Sequence, residues 1–486
     1  MVNFTILAGG FTSFIATYVF DSDAGSLALV KQSPTGQNPS WIAPHRLNSS
    51  VLYAVNEIGP VGNLQSFSID EAGSLTLVDT VPTGGNGPTF TEALTTGEVS
   101  AMNFGSPNSS FVATDPEDPA RFLRDSPVVD FPVGDGPSNP HQSLEFNGEI
   151  FVPDLGADKI WRIVNDGAPG KFKVQGQIDI APGNGPRHVA VRDNILFVLH
   201  EKTSVLTAHQ IPTAPNGTTL PVLANVSIVP AEAANINGSF FAAEIVISEP
   251  SEAFPDPIIY VSNRNLGPEF DERGDTIAIF EYSALTGNGT EPEPESTESL
   301  PSTDSTVAEP SATQTIRLAP AFTTLVAAQT TPAAKRAEPR SKRMVKYHAR
   351  RRNPHEQARR QGDYGYGDGS SPEPEASSST GAAPTGTTLT LVPSSETATA
   401  TSAGPIQATA TPTAATLRLT NQVFTGLSQI RSFAIGKTGD GGDEFLIAGA
   451  NTEGGVAVFR RIDGGKNLEL VVRNQELQNR TSFVFL

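Results

Sequence analysis

The chain predicts an all-β fold, a seven-bladed β-propeller with one long low-complexity insertion, and three observations predict it. First, seven short apolar runs recur: Ile6 to Gly10, Leu52 to Glu57, Val99 to Phe104, Ile150 to Asp154, Leu196 to Glu201, Ile259 to Arg264 and Phe445 to Gly449. Apart from two longer gaps they return about every 46 to 51 residues, the period of a four-stranded blade rather than of a helical repeat. Second, strand pairs alternate with period two around turn residues. Leu64 to Ile69 and Ser74 to Val78 flank Asp70-Glu-Ala-Gly, and Gly454 to Phe459 and Leu468 to Val472 flank Asp463-Gly-Gly. Third, 44 glycines and 39 prolines suit many short strands joined by tight turns. The innermost strand of each blade lines the central channel of such a ring, so the polar residues that end these runs are expected to converge on one mouth.

Taken in order, residues 1–282 read as the first part of the ring and 416–486 as the part that closes it. Pairing Phe4 to Ala8 with late C-terminal sequence would remove the open edges that a ring otherwise leaves. Between them, 283–415 loses the strand pattern. Ser, Thr, Pro, Ala and Glu dominate, as in Glu291-Pro-Glu-Pro-Glu and Ala408-Thr-Ala-Thr-Pro-Thr, a composition too poor in apolar surface to offset chain entropy, so the stretch reads as a disordered loop within one blade or between two. Its centre is basic. Lys335 to Arg360 holds 11 of the 33 basic residues and two acids, Glu338 and Glu356, so a net charge of −19 conceals 22 − 50 = −28 on the remainder. A folded part this acidic argues against nucleic acid as its partner.

The zero cysteines leave no disulfide, thiolate metal site or cysteine nucleophile. No segment has the roughly 18 consecutive apolar residues of a membrane span. The N-terminus, Met1-Val-Asn-Phe-Thr-Ile-Leu-Ala-Gly-Gly, reads as a first strand and not as a signal peptide, which points to the cytoplasm. Eight Asn-x-Ser/Thr acceptors point the other way, toward secretion. Oligomeric state is not written in the sequence.

Three segments go beyond repeat geometry. Ser138-Asn-Pro-His141-Gln precedes Phe151-Val-Pro-Asp-Leu-Gly-Ala-Asp-Lys-Ile160; Gly183-Asn-Gly-Pro-Arg187-His188-Val-Ala precedes Leu196-Phe-Val-Leu-His-Glu201; Ile259-Tyr-Val-Ser-Asn-Arg264 precedes Gly274-Asp-Thr-Ile-Ala-Ile-Phe. In this order and spacing they resemble consecutive blades of the lactonase-type seven-bladed propellers, a family that includes the fungal 3-carboxy-cis,cis-muconate cyclases and propeller-type 6-phosphogluconolactonases. The resemblance covers the chain apart from the insertion. Two departures stand out: Asn139 occupies a position where members often have a second histidine, and residues 265–273 lengthen a turn beside Arg264.

The resemblance implies a catalytic set of His141, Arg187, Glu201 and Arg264 that needs neither metal nor cofactor, acting on a small polycarboxylate or a sugar lactone. Its first implied chemistry is a cycloisomerisation, in which one carboxylate of a linear diene adds to a double bond, a proton reaches carbon and a lactone closes. Arginine forks suit carboxylates, and a histidine or half-buried glutamate suits proton delivery. The second is hydrolysis of a sugar lactone, with the arginines on a phosphate and His141 or Glu201 activating water. A third reading is an inert propeller that binds proteins on one face.

Each residue also has a purely structural explanation. Arg187 could bridge to an acid such as Glu201 and lock two blades; Glu201 could be a hydrated channel carboxylate; His141 could be a hydrogen-bonded turn residue; Arg264 could sit in a salt bridge. His188, one residue from Arg187, should face the opposite way along a strand. Asn56, Glu57, Asp154, Glu201 and Asn263 could supply oxygen ligands to a channel calcium ion. The glycine-rich Gly84-Gly-Asn-Gly-Pro and Gly183-Asn-Gly-Pro lack the lysine of a phosphate loop and read as turns.

Overall fold

The computed structural model describes residues 2–286 and 412–486. They form seven antiparallel sheets of four strands, the fourth sheet gaining a short parallel edge strand, Gly217–Thr218. Seven blades therefore surround one channel. Their innermost strands, from blade one to blade seven, are Arg480–Phe485, Ile42–Pro44, Pro88–Phe90, Leu144–Phe146, Pro186–Arg192, Phe240–Ile247 and Ile430–Ile435.

The apolar runs seen in the sequence are the second strands of the blades, not the innermost ones. Asn3–Gly10, Val51–Asn56, Glu98–Asn103, Glu149–Asp154, Ile195–His200, Ile259–Asn265 and Phe445–Ala450 each hold the second place in their sheet. The reason is burial. A second strand has a hydrogen-bonded neighbour on both edges and another blade over each face, so Val51–Asn56, Ile195–His200 and Phe445–Ala450 are buried at every residue. An innermost strand meets the channel, and three of the seven are only three residues long. Apolar density therefore marks the layer behind the channel wall.

Alternation along these second strands sends successive side chains to opposite neighbours. Ile6 packs toward blade seven with Phe445, Ile447 and Val458, while Leu7 packs toward blade two with Leu52 and Phe67. Ile259 and Tyr260 divide in the same way between blades five and seven. One apolar cluster fills each of the seven interfaces between blades. Truncating a fully buried member such as Leu52 to alanine is worth about 2–5 kcal/mol.

The ring closes as the sequence predicts. Ile6, Leu7 and Ala8 pair with Phe485, Val484 and Phe483, so the last strand is the innermost strand of blade one. The stretch 283–415 lies outside the described residues except at its ends. There Thr276–Thr286 and Pro412–Phe424 pair as third and outermost strands of blade six, with Ser283 opposite Thr416 and Thr286 opposite Pro412. Strand structure thus continues beyond the boundaries at 282 and 416 expected from composition, because Ser and Thr at these positions extend a ladder that is already paired. Among the described residues no helix is long and apolar enough to cross a membrane.

Candidate active site

The innermost strands all begin at one mouth of the channel, and there five of the seven depart from regular pairing. Register shifts leave extra residues at Thr89, at Arg187, at Ala243 and Glu244, at Arg431 and Ser432, and at Thr481. A bulge frees a residue from the ladder and re-aims its side chain. Four of these positions, Thr89, Arg187, Arg431 and Thr481, line a recess of about 200 Å³ together with Ser40, Trp41, Glu57 and His141.

Arg187 is reached through the turn Gly183-Asn-Gly-Pro. Gly183 and Gly185 have positive φ, and both of their amides donate to the carboxylate of Asp158, at 2.8 and 2.7 Å. The turn is therefore a tether to blade four, its amides already engaged. Arg187 is fully buried. Its Nη1 donates to the Ala243 carbonyl, and its Nε lies 2.9 Å from Glu201 Oε2. Arg264, next to last in the second strand of blade six, places Nη2 2.7 Å from the same Glu201 oxygen and 3.2 Å from the Ala242 carbonyl. Both carbonyls stand at the bulge of the Phe240–Ile247 strand. Glu201 itself sits in the turn after Ile195–His200, with its amide on Gly185 O at 2.8 Å. Burial pulls its carboxyl upward, but Arg264, Arg187 and Arg431 outweigh that pull and hold it below the ordinary range.

Two guanidiniums on one carboxylate leave donors to spare: Arg264 Nε has no hydrogen-bond acceptor among the described residues. Burial, with Arg264 beside it, brings the Arg187 guanidinium down to about 9, still charged at neutral pH.

His141 precedes the short inner strand of blade four, with its amide on Pro153 O at 3.0 Å. Its ring is buried and its Nδ1 has no hydrogen-bond partner among the described residues. Burial first, then the charges of Arg187, His188, Arg431 and Arg264, holds its pKa well below the usual value, so the imidazole is neutral. Glu57 follows the second strand of blade two, and its Oε2 is buried with no hydrogen-bond partner among the described residues. Here burial prevails over Arg431, Ser40 and Arg187 and raises the carboxyl above its usual range.

His188 departs from the expected orientation. The bulge at Arg187 breaks the alternation, and the His188 ring points across the channel, 5.1 Å from that of His141 and 5.5 and 5.9 Å from Trp41 and Phe90. Its Nδ1 lies 2.7 Å from Glu244 Oε1.

The four residues expected from sequence thus come together, in two layers. His141 and Arg187 are in the recess wall, while Glu201 and Arg264 adjoin Arg187 from blades five and six. Arg431, Glu244 and the role of Glu57 as a recess carboxyl escaped sequence reasoning. A signal existed in the second residue of four inner strands, Pro88-Thr89, Pro186-Arg187, Ile430-Arg431 and Arg480-Thr481, and in Pro140-His141 just before the inner strand of blade four. The calcium arrangement does not form. Asp154 accepts from Ser138 Oγ, Asn139 N, Ala157 N and Trp161 Nε1 at 2.5–3.0 Å; Asn263 is bonded to Thr276; and no cluster of three or more His, Asp or Glu among the described residues is placed to hold a metal. The lengthened turn 265–273 borders a second hollow of about 320 Å³. Its polar groups serve the fold: Asn265 binds Ser239, Gly267 and Glu269, and Asp275 accepts from the amides of Asn265 and Gln429.

A seven-bladed ring with a small, cation-rich recess at one mouth is the class of protein that these observations define. Residues 5–301 match the lactonase family, described as a seven-bladed β-propeller, and the chain belongs to that family. A relative named "Probable 6-phosphogluconolactonase" from Arthroderma benhamiae is 27% identical over 269 residues, which are 53% of this chain and 65% of that protein, just under two thirds of its length. The 6-phosphogluconolactonase of Bacillus subtilis is 25% identical over 289 residues, 56% of this chain and 75% of that one. The periplasmic gluconolactonase of Pseudomonas aeruginosa shares the fold with a TM-score of 0.62 at 14% identity, covering 100% of this chain and 99% of that one.

Proposed function

We propose that this protein hydrolyses lactones of sugar acids that carry an anionic group, with 6-phosphogluconolactone the first substrate to test. The observation that carries this reading is the charge balance of the recess. In a chain of net charge −19, Arg187 lines one small cavity that Arg431 also borders, and Arg187 and Arg264 bring two guanidiniums to the single carboxylate of Glu201, whose ionised form they favour. Such a site attracts an anion and stabilises negative charge developing on a carbonyl oxygen. Family membership and the two similar 6-phosphogluconolactonases support the substrate class.

In this mechanism Arg431 and Arg187 hold the anion and the lactone carbonyl. Arg264 and Glu201 fix the Arg187 fork, because a guanidinium held on two sides loses little freedom when a ligand binds. Neutral His141, with Nδ1 unpartnered, takes a proton from water as its oxygen attacks the carbonyl carbon. Acid release from 6-phosphogluconolactone, followed at constant pH against the uncatalysed rate, tests the reading. Acceleration that vanishes in His141→Gln supports it; a rate equal to the blank overturns it.

A second reading, ring-closing isomerisation of a tricarboxylated muconate, is favoured by one observation: three guanidiniums match three carboxylates. Loss of ultraviolet absorbance from 3-carboxy-cis,cis-muconate tests it, and an unchanged spectrum excludes it.

A further inference from the structure

Hydrolysis of a sugar lactone leaves one requirement that the residues named so far do not meet. When the tetrahedral intermediate collapses, the ring carbon–oxygen bond breaks and its electron pair goes to the ring oxygen. The departing group is an aliphatic alkoxide, a poor leaving group unless a proton reaches it. Glu201 is unsuited to this role, because two arginines hold it ionised. Glu244 is unsuited too, because it is turned to His188 and lies outside the recess wall.

We propose that Glu57 is the proton donor to the leaving oxygen, an inference that rests on the lactonase reading above. Three placements carry it. Glu57 lines the same recess as His141 and Arg187, entering from blade two while they enter from blades four and five. Its Oε2 is buried and has no hydrogen-bond partner among the described residues, so it has a proton position to offer inside the recess. Its main chain is fixed, with its amide on Asn38 O at 2.9 Å and the Asn38 side-chain amide on the Glu57 carbonyl at 3.0 Å. The charged and titratable groups sharing the recess wall are Arg187, Arg431 and His141. Burial keeps Glu57 in its acid form to a higher pH than an ordinary glutamate, despite Arg431 and Arg187, and the same burial keeps His141 neutral. One cause thus prepares both partners: an acid that can give and a base that can take.

The proton balance closes. Water loses a proton to His141 Nδ1 and its oxygen bonds to the carbonyl carbon. The ring oxygen then takes the Glu57 proton as the carbon–oxygen bond breaks, yielding a hydroxy acid. The proton on His141 returns to Glu57 through solvent, and the new carboxylic acid ionises.

The test compares wild type, Glu57→Gln and Glu57→Asp on 6-phosphogluconolactone across pH, with melting temperature and inhibition by the product, 6-phosphogluconate, measured on the same preparations. Glu57→Gln is expected to lose on the order of 10²- to 10⁴-fold in kcat while still binding product. In wild type the rate should fall as pH rises through the Glu57 titration. That limb should be absent from the residual activity of Glu57→Gln and present in Glu57→Asp. Wild-type kcat in Glu57→Gln, or the same alkaline limb in both proteins, overturns the assignment of Glu57 and leaves the lactonase reading standing. A wild-type protein inert toward the lactone overturns both. A Glu57→Gln protein that melts early, with Glu57→Asp showing no alkaline limb, makes Glu57 a structural residue and likewise overturns the proposal.

Discussion

The two mouths of the channel carry ion clusters of opposite sense. At the mouth where the inner strands begin, two arginines from neighbouring blades share one carboxylate, Glu201. Where the inner strands end, two carboxylates share one arginine: Arg46 lies 2.9 Å from Glu92 and 3.3 Å from Glu145, tying blades two, three and four. Both clusters hold blades together. They relieve their excess charge differently. The acidic cluster can take up a proton: burial first, then Glu145, against the pull of Arg46, pushes Glu92 up to about 7. Arginine has no such outlet at physiological pH. The cationic cluster keeps its excess, with a donor at Arg264 Nε that has no acceptor among the described residues, and this is why an anion is proposed as its ligand.

The largest effect that would break this contrast is expected at His141. His141→Gln should lower kcat on the order of 10²- to 10⁴-fold with little change in melting temperature, since its ring nitrogen Nδ1 supports nothing else. Next comes Glu201→Gln, which leaves two buried guanidiniums facing one amide. Breaking a buried pair of this kind costs about 3–5 kcal/mol, readable in urea unfolding. Unchanged stability there would mean that the two arginines do not depend on Glu201. Arg264→Lys keeps the charge and loses the fork. A loss on the order of 10²-fold in kcat is expected if Arg264 orients Arg187, and wild-type kinetics would remove it from the mechanism.

At the opposite mouth the readout is pH. An acid whose pKa is raised on folding contributes stability that is fully present below its unfolded value and is lost as pH rises through its folded value. For Glu92 that window runs from the ordinary glutamate range to about 7. Glu92→Gln should therefore flatten the fall in melting temperature over this interval, measured by calorimetry at several pH values; parallel curves for the two proteins would reject the assignment. The smallest effect is expected at Arg46, which is 40% exposed. Arg46→Gln should change stability by no more than about 1 kcal/mol and leave turnover intact.

Legibility differed across the molecule for physical reasons. Second strands are buried at nearly every residue because a blade covers each face, and each carries a short apolar run, so a count of such runs finds them and gives the number of blades. Inner strands such as Ile42–Pro44 and Pro88–Phe90 are too short for any period to register. His141, Arg187, Glu201 and Arg264 were legible through motif order. Arg431 was not, since Ile430-Arg431-Ser-Phe resembles no motif and gains meaning only when lined up with Pro140-His141 and Pro186-Arg187. His188 was misjudged because period-two alternation assumes an unbroken ladder, and a bulge interrupts the ladder at Arg187.

The strand that closes the ring also sets a schedule. Asn3–Gly10 leaves the ribosome long before Arg480–Phe485, the strand that pairs its inner edge. Until then the nascent ring presents an unsatisfied row of amides and carbonyls, the kind of edge on which chains associate wrongly. Thr481, which lines the recess, arrives on that same final strand, and Arg431 comes only one blade earlier. The recess therefore cannot be complete until the strand that carries Thr481 has been made and has paired with Asn3–Gly10, so its assembly reports closure of the ring.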